Sequence, residues 1–456
     1  MDIRTTGIEG LLIVDLDVHG DDRGWFKENW QREKMVAAGL PDFAPVQNNV
    51  SFNATAGVTR GLHAEPWDKL VSVAYGKVFG AWCDLREGSE TYGELVTTEI
   101  GPDTAVFVPR GVANGFQALE PTAYSYLVND HWSPEATYPA VNLDLVDWPL
   151  DPTEISDKDA AHPQLSEATP MPPRKVLVTG ADGQLGRALR RILPHAEFAT
   201  RADLDITDPR LAEARRWRDY SAIINCAAYN NVDGAERDRA GAWAVNAEAV
   251  ARLAGIASAH NLTLVHVSSD YIFDGTEKLH TEQEPVSPLS VYGASKAAGD
   301  AAAQATARHY VVRTSWVFGD GNNFVEAMRG LALRGVEPEV VADQRGRPTF
   351  AEDLAKAIAH LLDSGAEYGV YNVTNSGDTV GRDELAMSTF IGIGHDPAEV
   401  HPTTTDHFAQ PGAAPRPAES TLDLSKLEAT GFRPQNWRAA LALYLALYPA
   451  AGEAES

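Results

Sequence analysis

"RKVLVTGADGQLGRAL", residues 174–189, is the stretch on which the fold turns. An apolar run, "KVLV", leads into a turn with glycines at Gly180, Gly183 and Gly186, and a helical pattern starts near Gln184. Glycines at such a strand-to-helix turn let the backbone bend sharply and approach a pyrophosphate, which then sits at the positive end of the helix. The three glycines alone fit an ordinary βα turn equally well; the strand before them and the helix after them favour the nucleotide reading.

Downstream of this turn, short apolar segments ("SAIINCAA", "LTLVHVSSD", "HYVVRTSW") alternate with alanine-rich helical stretches such as "AGAWAVNAEAVARLAGIASA". That alternation predicts a parallel sheet with helices on both faces, a Rossmann-type α/β fold with a small substrate-binding lobe, over residues 174–456. Upstream the period changes. "LLIVDLDV", "KLVSVAYGKVFGAW", "ELVTTEI" and "AVFVP" are separated by Gly, Pro, Asp and Asn, which predicts an all-β cupin-like sandwich or jelly roll over residues 1–165. Between the two lies "SEATPMPPR", whose prolines and small polar residues predict an exposed linker over residues 166–173. The chain therefore reads as multidomain, in keeping with its 456 residues.

Sixty-four acidic against 38 basic residues leave a net charge of -26, which argues against a general affinity for nucleic acid or anionic membrane. The N-terminal "MDIRTTGIEGLLIVDLDVHGD" does not resemble a secretory signal, and no apolar stretch approaches a membrane span of ~18 residues. The most apolar segment, "WRAALALYLALYP", predicts an amphipathic packing helix stopped by Pro449. The two cysteines, Cys83 and Cys226, sit far apart in apolar runs, which fits buried core positions and a cytoplasmic location without a disulfide framework.

In "SSDYIFDG" and "VYGASK" the chemistry-bearing residues are Ser268, Ser269, Asp270, Tyr271, Tyr292 and Lys296. A Tyr and a Lys four apart share one helix face, so the ammonium is expected to favour the phenolate and lower a pKa that is ordinarily about 10. A Tyr four before a Lys is common on solvated helix faces; its position after a glycine turn and a serine-rich strand end gives it weight. Six stretches in order, "TGADGQLG", "NCAAYNNVDGAE", "SSDYIFDG", "PLSVYGASK", "RTSWVFGDGNNFV" and "VADQRGRPTFAEDLA", resemble the extended short-chain dehydrogenase/reductase family, and within it the dTDP-4-dehydrorhamnose reductases. The resemblance implies catalytic roles for Ser269, Tyr292 and Lys296. It implies a cofactor site at Gly180, Gly183, Gln184, Leu185, Gly186, Ala227 and Ala228, with Tyr292 and Lys296 also touching the cofactor. It places Tyr271, Trp316, Asn323, Gln344 and Arg347 at the sugar nucleotide. Ser269 stands where the family commonly has threonine, and Asn231 replaces a usual threonine. At the end of the second strand "EFATRADLDITD" offers Thr200, Arg201 and Asp205; Arg201 suits a 2′-phosphate, so NADPH is expected over NADH.

Residues 8–165 carry a second set: "DDRGWFKE", "VQNNVS", "TRGLH", "DKLV", "DLREGSETYG", "PRGVANGF", "DWPL" and "SDKDAAHP". His63 in "HAE" invites a metal-binding reading, but a metal would need further histidines on neighbouring strands; no second histidine stands beside His63 and Asn114 occupies the likeliest place for another, so no metal is expected. His63 is then a core histidine or a general base, with Arg60 and Lys69 near enough to hold a diphosphate and an enolate. The fragments resemble the dTDP-4-dehydrorhamnose 3,5-epimerases. That resemblance implies His63 as base, Asp159 as its orienting partner, Tyr126 as acid and Lys69 at the enolate oxygen. Arg23, Glu28, Gln47, Asn49 and Arg60 would surround the nucleotide sugar. Glu65, Asn114 and Trp132 depart from the usual glutamine, histidine and tyrosine.

Together these readings predict a bifunctional enzyme acting on a dTDP-4-keto-6-deoxy sugar, as a homodimer. The alternatives are a reductase with a non-catalytic binding or dimerisation domain, a regulatory protein of dehydrogenase fold, and an enzyme of a different deoxysugar.

Overall fold

The computed structural model describes residues 1–408 and 412–449. The chain divides into two compact units, Met1–Pro173 and Arg174–Ser456.

The first unit is built on two antiparallel sheets. One runs Asp2–Thr5, Leu12–Asp15, Thr104–Val108, Lys69–Tyr75, Thr122–Val128, Gln47–Asn53; the other runs Thr59–His63, Val112–Ala118, Val78–Asp84, Leu95–Ile100. Their facing sides meet in a core that includes Val71, Val106, Trp82, Phe116 and Tyr124. Val112–Ala118 is buried along its whole length and Val78–Asp84 nearly so, in keeping with the short apolar runs of the sequence. Gly61, at φ +121, is where the second sheet tightens: a Cβ there would lie 2.5 Å from the Gly115 Cα. The close crossing sets His63 opposite Asn114, beside an irregularity in the pairing between Asn114 and Phe116. A separate hairpin, Val18–Asp21 with Gly24–Lys27, stands apart from both sheets.

Residues 166–173 are mostly exposed, but Ala168 and Met171 are buried and the segment is tied to the first unit. The Met171 N–H donates to the Leu85 carbonyl at 2.7 Å, Arg110 Nη1 donates to the Pro172 carbonyl at 2.7 Å, and Met171 is 1% exposed. The apolar Met171 has a place to bury, and prolines on either side suit the extended backbone that brings it there.

The second unit holds a six-stranded parallel sheet ordered Glu197–Ala199, Lys175–Thr179, Tyr220–Asn225, Thr263–Ser269, His309–Thr314, Gly369–Asn372. The chain reverses its direction of travel across the sheet beside Lys175–Thr179, which opens a crevice at the carboxyl ends of the strands there. The helix Gln184–Ile192 buries Leu185, Ala188 and Leu189 and turns Arg190 and Arg191 outward at its last turn, where cations suit the helix dipole; Pro194 follows its end. A smaller lobe forms around Phe318, Phe350, Leu385, Trp437 and Tyr444, contributed in part by helices Arg382–Gly392 and Trp437–Leu447. Among the described residues no helix is long and apolar enough to cross a membrane.

Candidate functional site

In the first unit, His63 ends its strand at the wall of a cavity of about 530 Å³ that Arg60, Glu65, Lys69, Asn114, Tyr126 and Asp159 also line. His63 Nε2 and Asp159 Oδ1 are 2.7 Å apart although 96 residues separate them in sequence. Ser156 caps the short helix Asp157–Ala160 by accepting from the Asp159 N–H, and the Gly61 N–H donates to Asp159 Oδ2 at 3.3 Å. The carboxylate is thus held at both oxygens and its residue at the backbone N–H, and its acceptor oxygen fixes the imidazole proton on Nε2. The Nδ1 lone pair is left without a hydrogen bond among the described residues, the state a general base needs.

Lys69 is buried, with its ammonium 2.5 Å from Glu65 and 5.4 Å from the Tyr126 ring. Glu65, one of the three departures from the family pattern, therefore neutralises the cation within the cavity. Asn114 accepts from the Tyr124 hydroxyl at 3.2 Å. Burial, with Glu65 nearby, raises the Tyr126 pKa and keeps it a proton donor. A second cavity of about 370 Å³ shares His63, Glu65 and Tyr126 and adds Gln47, Asn49 and Trp132. Arg23 and Glu28 line neither cavity: Arg23 is turned to Asp21 and Glu28 to Lys34, on exposed surface.

Contrary to expectation, a second histidine does stand beside His63. His162, at the end of "SDKDAAH", packs edge-on against the His63 ring with centroids 5.0 Å apart and places its Nε2 3.9 Å from Asp159 Oδ1. This histidine comes from the segment that follows the sandwich and not from a neighbouring strand. Burial and the adjacent His63 hold the His162 pKa below its ordinary value.

In the second unit the glycines act through their lack of a side chain. A Cβ on Gly180 would stand 2.6 Å from the Ala227 nitrogen, and one on Gly186 would stand 2.6 Å from the Ala181 oxygen. Gly183 caps the helix Gln184–Ile192 without a side-chain bond, so the first amides of a nine-residue helix face an open crevice. Two adjoining cavities follow. One, of about 350 Å³, is lined by Gly180, Thr200, Arg201, Asp205, Ala227 and Ala228; the other, of about 310 Å³, by Gln184, Leu185, Gly186, Ser269, Tyr292, Lys296 and Trp316. Gly183, Cys226, Ala228 and Asn230 line both, so the pair makes one elongated trough suited to a dinucleotide. Cys226, expected in the core, lies on this trough, its thiol pushed up to about 12 by burial. Cys83 is fully buried.

Tyr292 and Lys296 share a face of the helix Val291–Gln304, but the expected lowering of the phenol pKa is overturned. Burial raises it and the nearby Asp270 adds to the rise, against the opposing effect of the Ser269 hydroxyl. Lys296 instead donates to the Val267 carbonyl at 2.6 Å, and burial pushes its own pKa down to about 8. Asp270, which accepts from the Ser269 hydroxyl at 3.0 Å, is pushed up to about 6 by burial.

Beyond Trp316 lies a larger cavity of about 700 Å³, apolar at Phe324, Met328 and Val340 and cationic at Arg237, Arg382 and Arg416, with Tyr271 and Gln344 on its wall. Arg382 stacks 4.4 Å over the Trp316 ring and reaches the Tyr271 hydroxyl at 3.3 Å. These arginines lie outside the recognised motifs and no spacing signals them. Asn323 lines none of these cavities: it caps the helix Phe324–Leu333 and donates to the Gly319 and Gly321 carbonyls. Arg347 is likewise outside them, half-buried among Asp423, Glu419 and Glu428.

A glycine-turn trough ending at a Ser–Tyr–Lys set defines the second unit as a short-chain dehydrogenase/reductase type of protein, and a His–Asp pair inside a β-sandwich marks the first as a proton-transfer domain. The chain belongs to the family described as RmlD substrate binding domain, whose model matches residues 174–449, and residues 5–167 match that of dTDP-4-dehydrorhamnose 3,5-epimerase. It thus joins an epimerase domain to a reductase domain. The "Protein RmlC homolog" of Streptococcus pyogenes is 50% identical over 180 residues, 37% of this chain and 90% of that protein. The dTDP-4-dehydrorhamnose reductase of Streptomyces griseus is 40% identical over 291 residues, 60% of this chain and 93% of that one. A Bacillus anthracis dTDP-4-dehydrorhamnose reductase, solved in complex with NADP, is 32% identical with a TM-score of 0.57, covering 60% of this chain and 100% of that one.

Proposed function

We propose that the chain performs two consecutive steps on one nucleotide sugar: 3,5-epimerisation of dTDP-4-dehydro-6-deoxy-D-glucose in the first unit and reduction of its C4 ketone in the second, giving dTDP-L-rhamnose. The observation that carries this reading is the His63–Asp159 contact at 2.7 Å, in a cavity that also holds Lys69 and Tyr126. A binding or dimerisation module has no use for such a set.

In the first unit His63 Nδ1 removes the proton beside the ketone, first at one carbon and then at the other. Lys69 Nζ faces the enolate oxygen, and Tyr126 returns a proton to the opposite face of the ring. Arg60, Gln47 and Asn49 hold the sugar nucleotide. This chemistry uses no metal, because the ketone already acidifies both C–H bonds.

In the second unit the bare amides after Gly183 hold the pyrophosphate of NAD(P)H, which supplies the hydride to C4. Tyr292 donates the proton to the C4 oxygen; its raised pKa keeps it protonated, which is what reduction asks of it. Ser269 orients that hydroxyl. The diphosphate of the sugar nucleotide lies against Arg382 and Arg416, and its base against Phe324 and Met328. Asn323 and Arg347 act through the backbone that shapes this wall.

NADPH is the preferred cofactor, through Arg201 at the mouth of the trough. Arg201 is 83% exposed and loosely paired with Asp205 at 3.4 Å, so it is free to turn to a 2′-phosphate. Arg201→Ala is expected to lose about 1–3 kcal/mol of NADPH preference, the value of a charge-assisted contact. Equal kcat/KM for the two cofactors in the unaltered protein would refute this.

The active form is a homodimer in which Arg23 and Glu28 serve the partner's cavity. Phe26 on the hairpin is 66% exposed, and Val50 and Phe52 on the edge strand are each 65% exposed. Co-expressed Arg23→Ala and His63→Ala chains are then expected to regain exchange at C3 and C5, up to about a quarter of the sites for random pairing of a two-fold dimer. No recovery in a mixed dimer would refute the shared site.

A further inference from the structure

His63, Asp159 and His162 each bring one donor atom to within 4.8 Å of the other two, and they are the group of three that meets this condition among the described residues. Two imidazoles and a carboxylate suit borderline transition-metal dications, zinc above all. His162 adds an independent pointer. Its side chain is 7% exposed and neither ring nitrogen makes a hydrogen bond of regular geometry, with only a marginal approach to the Gly61 backbone. Buried polar atoms are rarely left so, and here the ring's Nε2 is turned toward the Asp159 carboxylate.

We propose that His63, Asp159 and His162 form a binding site for a zinc-like dication, and that occupying it switches off proton transfer in the first unit. The switching rests on the epimerase reading; the binding does not. In a tetrahedral site with bonds of about 2.0–2.2 Å, donor atoms stand about 3.3–3.5 Å apart. The Asp159 oxygen is 2.7 Å from His63 Nε2 and 3.9 Å from His162 Nε2, so side-chain rotations of well under a turn bring both to that spacing. The His63 side chain is 36% exposed and lines both cavities, which provides an entry path and an open fourth position.

The consequence for catalysis follows from proton bookkeeping. A dication at Nε2 takes the place of the proton that Asp159 now holds there. The imidazole keeps its single proton by moving it to Nδ1, and the lone pair that would accept a proton from the sugar is gone. No net proton is released, and removal of the metal restores the base. The second unit has no comparable group among its described residues and serves as an internal control.

The test uses the full-length, untagged, metal-free chain titrated with cobalt(II), whose visible spectrum reports tetrahedral coordination, and then with zinc as competitor. One cobalt per chain is expected, displaced by zinc, with affinity at least about tenfold weaker in both His162→Phe and His162→Asn. Zinc is expected to suppress hydrogen–deuterium exchange at C3 and C5 of the 4-keto sugar and EDTA to restore it. In the two variants the ratio of the zinc rate to the EDTA rate should approach one, and NADPH oxidation by the unaltered chain on sugar that is already epimerised should not respond to zinc. Cobalt bound no more tightly by the unaltered chain than by both variants overturns the site, and exchange indifferent to bound zinc overturns the switch. If the metal-free chain shows no exchange, the epimerase reading falls, and the cobalt titration still decides the site.

Discussion

Replacing Tyr292 by phenylalanine is expected to lower NADPH oxidation by about 10²–10⁴-fold, the usual contribution of a positioned proton donor, while leaving exchange at C3 and C5 intact. The residue is 9% exposed and its ring packs edge-on to Tyr271, contacts that phenylalanine keeps. Only the hydroxyl is lost. Ser269, which shares a hydrogen bond with it, still donates to Asp270 at 3.0 Å, so the fold loses no more than the net value of one hydrogen bond, about 0.5–1.5 kcal/mol. Thermal unfolding close to that of the unaltered chain, together with a collapsed rate, is the signature of a lost acid. Undiminished NADPH oxidation would remove Tyr292 from the mechanism.

The opposite pattern is expected in the first unit. His63→Ala should abolish exchange of the C3 and C5 hydrogens, a loss of about 10²–10⁴-fold, without altering NADPH oxidation on sugar that is already epimerised. Asp159→Asn should lose part of that factor for a different reason. The carboxylate can only accept from Nε2–H, whereas an amide can also donate to Nε2, which puts the ring proton on Nδ1 and removes the base. Proton NMR of the sugar ring in heavy water reads both variants directly. Exchange that survives in His63→Ala would assign the base to another group.

What was legible in the sequence is what local spacing controls. The turn at Gly180, Gly183 and Gly186, the shared face of Tyr292 and Lys296, and the change of period between the two halves are all properties of a few consecutive residues. The contact between His63 and Asp159 was reached through family resemblance, since 96 residues intervene. His162 was missed although it stands three residues after Asp159, because its place depends on how the chain folds back over the sandwich. The electrostatics were misjudged where a nearer partner intervenes: Lys296 turns to the Val267 carbonyl, and Lys69 is matched by Glu65. Arg382 and Arg416 carry no motif, and only the folded lobe gathers them beside Trp316 and Tyr271. Met171 shows the same limit at the junction, since a Pro-rich composition says nothing of a side chain that finds a pocket.

The most direct test of two working sites in one chain is a single incubation. The purified full-length protein is given dTDP-4-dehydro-6-deoxy-D-glucose and NADPH in heavy water, and the product is identified by NMR. The expected product is a rhamno-configured 6-deoxy sugar carrying deuterium at both C3 and C5, formed in step with NADPH oxidation. A reduced sugar that retains hydrogen and the gluco configuration at those carbons would show that only the second unit works, and would refute a bifunctional chain.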